Sequence, residues 1–108
     1  MTDITSSNFE QSIGSEKPVL VDFWAEWCGP CKMVSHMLKD LDSEINTIAD
    51  IAKLNVDSAP DVAEKFSVRS IPTLILFKDG KEVGRTVGAS TKQSLKTFIE
   101  NTLAAQAA

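Results

Sequence analysis

Six consecutive residues, Val19-Leu20-Val21-Asp22-Phe23-Trp24, form a nearly unbroken apolar run. A strand with one wet face would alternate polar and apolar positions. This run does not, so it suits a central strand covered on both faces. Such a strand requires helices above and below it, and the flanking sequence supplies them. Thr5-Ser6-Ser7-Asn8 offers caps for a short first helix carrying Phe9 and Ile13. Downstream, Cys31, Val34, Leu38, Leu41 and Ile45 recur at spacings of three and four, one face of an amphipathic helix. Ile51 to Val56 reads as the next strand, and Ser58 as the cap of a short helix with Pro60 in its first turn and Val62, Ala63 and Phe66 inward.

Thr73 to Phe77 is a further buried strand. It runs into Lys78-Asp79-Gly80-Lys81, whose Asp-Gly pair signals a tight hairpin, so a strand over about Glu82 to Val87 returns antiparallel. Ser90 and Gln93 have capping-box spacing for a last helix carrying Leu95, Phe98, Ile99 and Leu103. The Ala-rich end, Ala104 to Ala108, is expected to fray. The sum is an α/β domain in three layers, a central mixed β-sheet flanked by helices. At 108 residues the chain has length for one such core, so residues 1–108 are read as a single domain.

Two cysteines are present, in Cys28-Gly29-Pro30-Cys31. A secreted scaffold would place more of them farther apart, and so small a loop constrains the unfolded chain very little. A chemical role is therefore favoured over a structural one. The pair falls where the apolar strand has ended and a helix begins. Free N–H groups and the positive end of the dipole there stabilise an anion, and the thiolate is the nucleophile in disulfide exchange. Pro30 is tolerated because first-turn N–H groups have no helical partner. A spacing of three puts both sulfurs on one side of the helix. Cys28, nearer the open end, is expected to attack; Cys31, more buried, to resolve the mixed disulfide. Half a zinc site is the rival reading, but structural zinc wants four ligands and only His36 remains to join the two thiols.

These residues carry a resemblance. Trp24-Ala25-Glu26-Trp27-Cys28-Gly29-Pro30-Cys31-Lys32, with Val21-Asp22-Phe23 before it and Ile71-Pro72-Thr73 and Val87-Gly88-Ala89 after it, resembles the thioredoxin family over nearly the whole chain. The resemblance implies a thioredoxin fold and a protein disulfide reductase, recharged by an NADPH-dependent thioredoxin reductase. Flavin and nicotinamide would then bind that partner, and this chain would bind no cofactor. No nucleotide fingerprint contradicts this: Gly80, Gly84 and Gly88 lie in a hairpin and strand, where they read as turn and bulge glycines.

Asp22 interrupts the apolar run and shares a strand face with Leu20 and Trp24. Buried carboxyls have raised pKa values, so Asp22 could move protons for a resolving thiol; it could equally be a structural carboxylate held by a hydrogen bond or by Lys53. The resemblance favours the first role and implies Lys53 as its partner. Trp24 and Trp27 flank the cysteines; they read as packing residues that also offer partners an apolar surface. From the residues alone, the bond before Pro72 would be trans. The resemblance implies cis, with Pro72 facing the dithiol and the Ile71 backbone free to pair with an extended substrate. Gly88 would allow close approach on the same surface, or be a simple turn glycine. His36 and Ser70 depart from the proline and glycine common in the family; His36 reads as a solvated helix residue.

The net charge of −4 and the lack of a Lys/Arg cluster argue against nucleic acid. No stretch approaches the ~20 apolar residues of a membrane helix. The first nine residues carry neither a basic start nor an apolar run, so a cytoplasmic location is expected. The expected partners are thioredoxin reductase and disulfide-containing clients, met as a monomer. Two other classes remain. An oxidase or isomerase on the same fold usually carries a charge between its cysteines, which Gly29-Pro30 lacks. A binding module using the fold as a scaffold would not need the cysteines at all.

Overall fold

The apolar run folds as the middle strand of a five-stranded sheet. The computed structural model describes residues 1–107. In chain order the elements are β1 (Thr2–Ile4), α1 (Phe9–Ile13), β2 (Val19–Trp24), α2 (Gly29–Ile45), β3 (Asp50–Asn55), α3 (Pro60–Lys65), β4 (Thr73–Lys78), β5 (Lys81–Val87) and α4 (Lys92–Ala107). The sheet order is β1-β3-β2-β4-β5. β1 and β2 both run parallel to β3, while β4 is antiparallel to β2 and β5 to β4. The sheet is thus mixed, and β2 has a neighbour on each edge.

Alternation along β2 divides the core. Val19, Val21 and Phe23 pack on one face with Phe9 and Ile13 of α1 and Val62 of α3. Leu20 packs on the other with Val34, Leu38 and Leu41 of α2 and Leu95 and Ile99 of α4. The first cluster holds an aromatic group, Phe9, Phe66 and Phe77, with ring centroids 5.2–5.6 Å apart in tilted and edge-on arrangements.

The Asp79-Gly80 turn has φ of 52° and 80°, so both central residues are left-handed, as a two-residue hairpin of matching twist requires. The ladder between β4 and β5 shifts register between Leu76 and Phe77, beside Gly84. A Cβ at Gly84 would come within 3.1 Å of Phe98, so the absent side chain lets α4 lie against β5.

Several local expectations shift. β1 carries no sequence signal, because three residues with one buried position show no periodicity. Ser58 does not cap α3; Ala59 precedes its first turn without a side-chain cap bond. At α4 the Thr91 hydroxyl, one residue past the expected Ser90, accepts from the Ser94 N–H at 3.1 Å. Asn8 stands at the cap of α1, but its side chain accepts from the Thr5 N–H at 2.8 Å instead. The Ala-rich tail is helical and exposed through Ala107, and Ala108 lies outside the described residues.

Candidate functional site

β2 ends at Trp24, and after four intervening residues the chain enters α2 at Gly29. Cys28 occupies the cap position, with φ −91° and ψ 106°. An extended cap residue turns its side chain back over the first free N–H groups. Here the Cys28 sulfur accepts from the Cys31 N–H at 3.2 Å. Gly29 and Pro30 form the first helical positions, where proline forfeits no helical bond. Cys28 and Cys31 are joined as a disulfide, with Cα atoms 5.3 Å apart. Cys28 is 5% exposed and Cys31 1%, so both are buried, Cys28 slightly less so.

The loop before β4 forms the opposite wall. The Ile71–Pro72 peptide bond is cis. The Ile71 carbonyl oxygen lies 4.0 Å from the Cys28 sulfur. Two bonds hold this loop: the Thr73 hydroxyl donates to the Ser70 carbonyl at 2.6 Å, and the Gly88 N–H to the Pro72 carbonyl at 2.8 Å. Gly88 has φ 92°, and a Cβ there would meet no atom within 4 Å. Its backbone conformation, not crowding, calls for glycine.

The two tryptophans separate in role. Trp24 is half-buried. Trp27 is 70% exposed, yet its indole N–H donates to Asp57 at 2.9 Å, so a large apolar ring is held on the surface. Beside it runs a groove of about 340 Å³ lined by Trp27, Val56, Val68, Arg69, Ser70 and Ile71.

Asp22 is completely buried, on the β2 face that α2 covers. Neither of its carboxyl oxygens has a hydrogen-bond partner among the described residues. Burial pushes its pKa up to about 7, against the opposing pull of the Lys53 charge. Lys53 stands opposite Asp22 in the β2–β3 register. Its ammonium makes no ion pair there: it donates to the Ser35 hydroxyl at 2.7 Å and lies 4.3 Å from the Trp24 ring centroid. A cleft of about 230 Å³ opens at this place, with Trp24, Cys31, Ser35 and Lys53 in its lining.

The candidates thus fall into two groups around the disulfide. Trp27, Ile71, Pro72 and Gly88 belong to the outer, Cys28 side. Trp24 and Lys53 line the inner cleft with Cys31, and Asp22 is buried opposite Lys53 on the neighbouring strand. His36 is an exposed residue of α2, and Ser70 is exposed at the groove. Sequence reasoning passed over Asp57 and Ser35. Asp57 has no local signature. Ser35 could have been found from its place one turn after Cys31 on the same helix face. Among the described residues, no group of three or more His, Cys, Asp or Glu side chains could hold a metal ion, and no helix is long and apolar enough to cross a membrane.

The chain as a whole resembles known proteins in sequence. The family model described as Thioredoxin matches residues 1–101. A thioredoxin of Mycobacterium bovis is 54% identical over 93 residues, 85% of this chain and 80% of the relative. One of Staphylococcus haemolyticus is 49% identical over 100 residues, 93% of this chain and 95% of the relative. A bifunctional thioredoxin reductase/thioredoxin of Mycobacterium leprae is 52% identical over 90 residues, which are 83% of this chain and 20% of that longer protein.

Proposed function

Because the chain belongs to the thioredoxin family, and is therefore a dithiol–disulfide oxidoreductase, we propose that it reduces client proteins as a monomeric, single-domain electron carrier of the cytoplasm, recharged by a thioredoxin reductase using NADPH. The observation that carries this reading is the Cys28–Cys31 disulfide at the start of α2, with Cys28 at the cap and the less buried of the two.

In the reduced protein, Cys28 is the nucleophile. Its thiolate is stabilised by the N–H groups and dipole at the start of α2. It attacks one sulfur of a client disulfide; the new S–S bond joins client and Cys28, and the other client sulfur leaves as a thiolate. Asp22 takes the proton of the Cys31 thiol. A carboxyl that titrates near 7 is matched to that task at neutral pH. The Cys31 thiolate then attacks the Cys28 sulfur, closes the disulfide and expels the second client sulfur. Two electrons pass to the client, whose two sulfurs leave as thiolates and take up protons from solvent. Lys53 sets the charge at the inner side, and the cleft lined by Trp24, Cys31 and Lys53 gives the proton its exit to solvent. On the outer side, Trp27, Ile71, Pro72 and Gly88 receive an extended client segment, which pairs with the Ile71 backbone. Gly29 and Pro30 add no charge between the thiols.

The test is insulin reduction in the presence of NADPH and a thioredoxin reductase. NADPH is expected to be consumed as the insulin chains precipitate, and Cys28→Ser to abolish both signals. A protein that leaves insulin oxidised while itself in the dithiol form would overturn the reading.

A further inference from the structure

Lys53 and Asp22 are opposite each other on neighbouring strands, yet no hydrogen bond or ion pair joins them, and the Lys53 charge is felt at Asp22 only at longer range. Two contacts keep them apart. The Ser35 hydroxyl receives one N–H of the Lys53 ammonium at 2.7 Å, and the face of Trp24 receives the positive charge at 4.3 Å. Ser35 projects from α2 one turn beyond Cys31, and both line the cleft with Lys53 and Trp24. An ammonium without that hydroxyl would be free to turn toward the unpartnered carboxyl opposite it in the ladder.

We propose that Ser35 is a positioning residue: by holding the Lys53 ammonium over Trp24, it keeps the Asp22 carboxyl unpaired and so sets the pH at which that carboxyl exchanges its proton. The inference rests on the reading of Asp22 as the proton acceptor only for its consequence in turnover. The geometric claim stands apart from it.

The physical argument compares two states. An opposite charge brought within ~4–6 Å lowers a carboxyl pKa by about 1–3 pH units. An ion pair between Lys53 and Asp22 would therefore leave Asp22 ionised at neutral pH and a poor proton acceptor. With Lys53 drawn to Ser35, desolvation dominates and the carboxyl stays near neutral titration. Lys53 on β3 is the charge felt at Asp22; β4 presents only Leu74 opposite it. The other charged or titratable groups of the cleft are Glu26 before α2 and Lys32, His36 and Lys39 on α2. The Cys31 sulfur does not titrate while it is in the disulfide.

The experiment is a carbon NMR titration of the Asp22 carboxyl in the oxidised protein, in wild type, Ser35→Ala, Ser35→Thr, Lys53→Met and the Ser35→Ala/Lys53→Met double variant. Ser35→Ala is expected to lower the Asp22 midpoint by about one pH unit as Lys53 turns toward it. Ser35→Thr, which keeps a hydroxyl, is expected to hold the wild-type midpoint. In the Lys53→Met background, Ser35→Ala is expected to add nothing, because no ammonium remains to be positioned. An unchanged midpoint in Ser35→Ala, or a change that persists without Lys53, overturns the proposal. Insulin reduction by Asp22→Asn supplies the separate control. Full turnover there would remove the proton-transfer role of Asp22 and leave the Ser35 titration result standing.

Discussion

At Cys28, backbone conformation and charge chemistry coincide. The extended cap geometry aims the sulfur at the first N–H groups of α2, and the Cys31 N–H reaches it at 3.2 Å. Gly29 and Pro30 contribute no charge, so the helix start carries the stabilisation of a thiolate here. Pro30→His would add a cation and favour the reduced, thiolate form. The expected result is a lower Cys28 pKa and a reduction potential higher by roughly 30 mV for each pH unit of that fall. Redox titration against glutathione, with thiolate absorbance followed against pH, measures both; constancy of both would leave the loop residues without influence on redox direction. Cys31→Ser is expected to accumulate mixed disulfides on a non-reducing gel, since attack remains and release is lost. Normal turnover by that variant would reverse the assigned roles. The cysteine pair, Trp27, Pro72 and Gly88 were legible because each stands in a short local pattern. Asp57 and Ser35 were not, because their partners lie 30 and 18 residues away and only the folded chain brings them together.

Among the elements, periodicity revealed the long helices and the buried strands, since each must present a continuous apolar face. Ends were harder to read. A cap is chosen by backbone geometry, and several neighbouring Ser and Thr residues could each serve. At α4 the choice is Thr91, whose hydroxyl accepts from the Ser94 N–H, and not Ser90. Thr91→Ala is therefore expected to cost ~1 kcal/mol, a fall in Tm of roughly 4–8 °C, while Ser90→Ala leaves the melt unchanged. Equal losses from both would mean that the two residues share the cap. β1 escaped notice for a different reason. It is an edge strand of three residues whose pairing with β3 supplies what its composition does not.

Over the whole molecule, the buried carboxyl makes stability depend on pH in a defined direction. Asp22 has a folded pKa of about 7, above the 3.8 of an exposed aspartate. Between those values the unfolded chain releases a proton that the folded chain keeps. Stability therefore falls as pH rises through this window and levels off above about 7. The full difference is on the order of 4 kcal/mol. Asp22→Asn removes it, so the variant is expected to melt higher than wild type at pH 8 and to lose that advantage by about pH 4, as denaturation across pH would measure. A constant difference at all pH values would mean that Asp22 titrates in the folded protein as it does in the unfolded chain. The sheet explains why such a cost is tolerated: β2 is bonded on both edges and packed on both faces, so one unpartnered group does not dislodge it. A kinetic consequence follows from the placing of both sulfurs within a single turn of α2. On the proposed roles, a client held on Cys28 faces a second thiol at an effective concentration that well-oriented intramolecular groups raise to ~10⁵ M or more. No dissolved thiol at millimolar levels competes with that. Captured clients therefore leave through the protein's own second sulfur, and the lifetime of the complex is set by a side-chain rotation and a proton, not by the redox buffer around it.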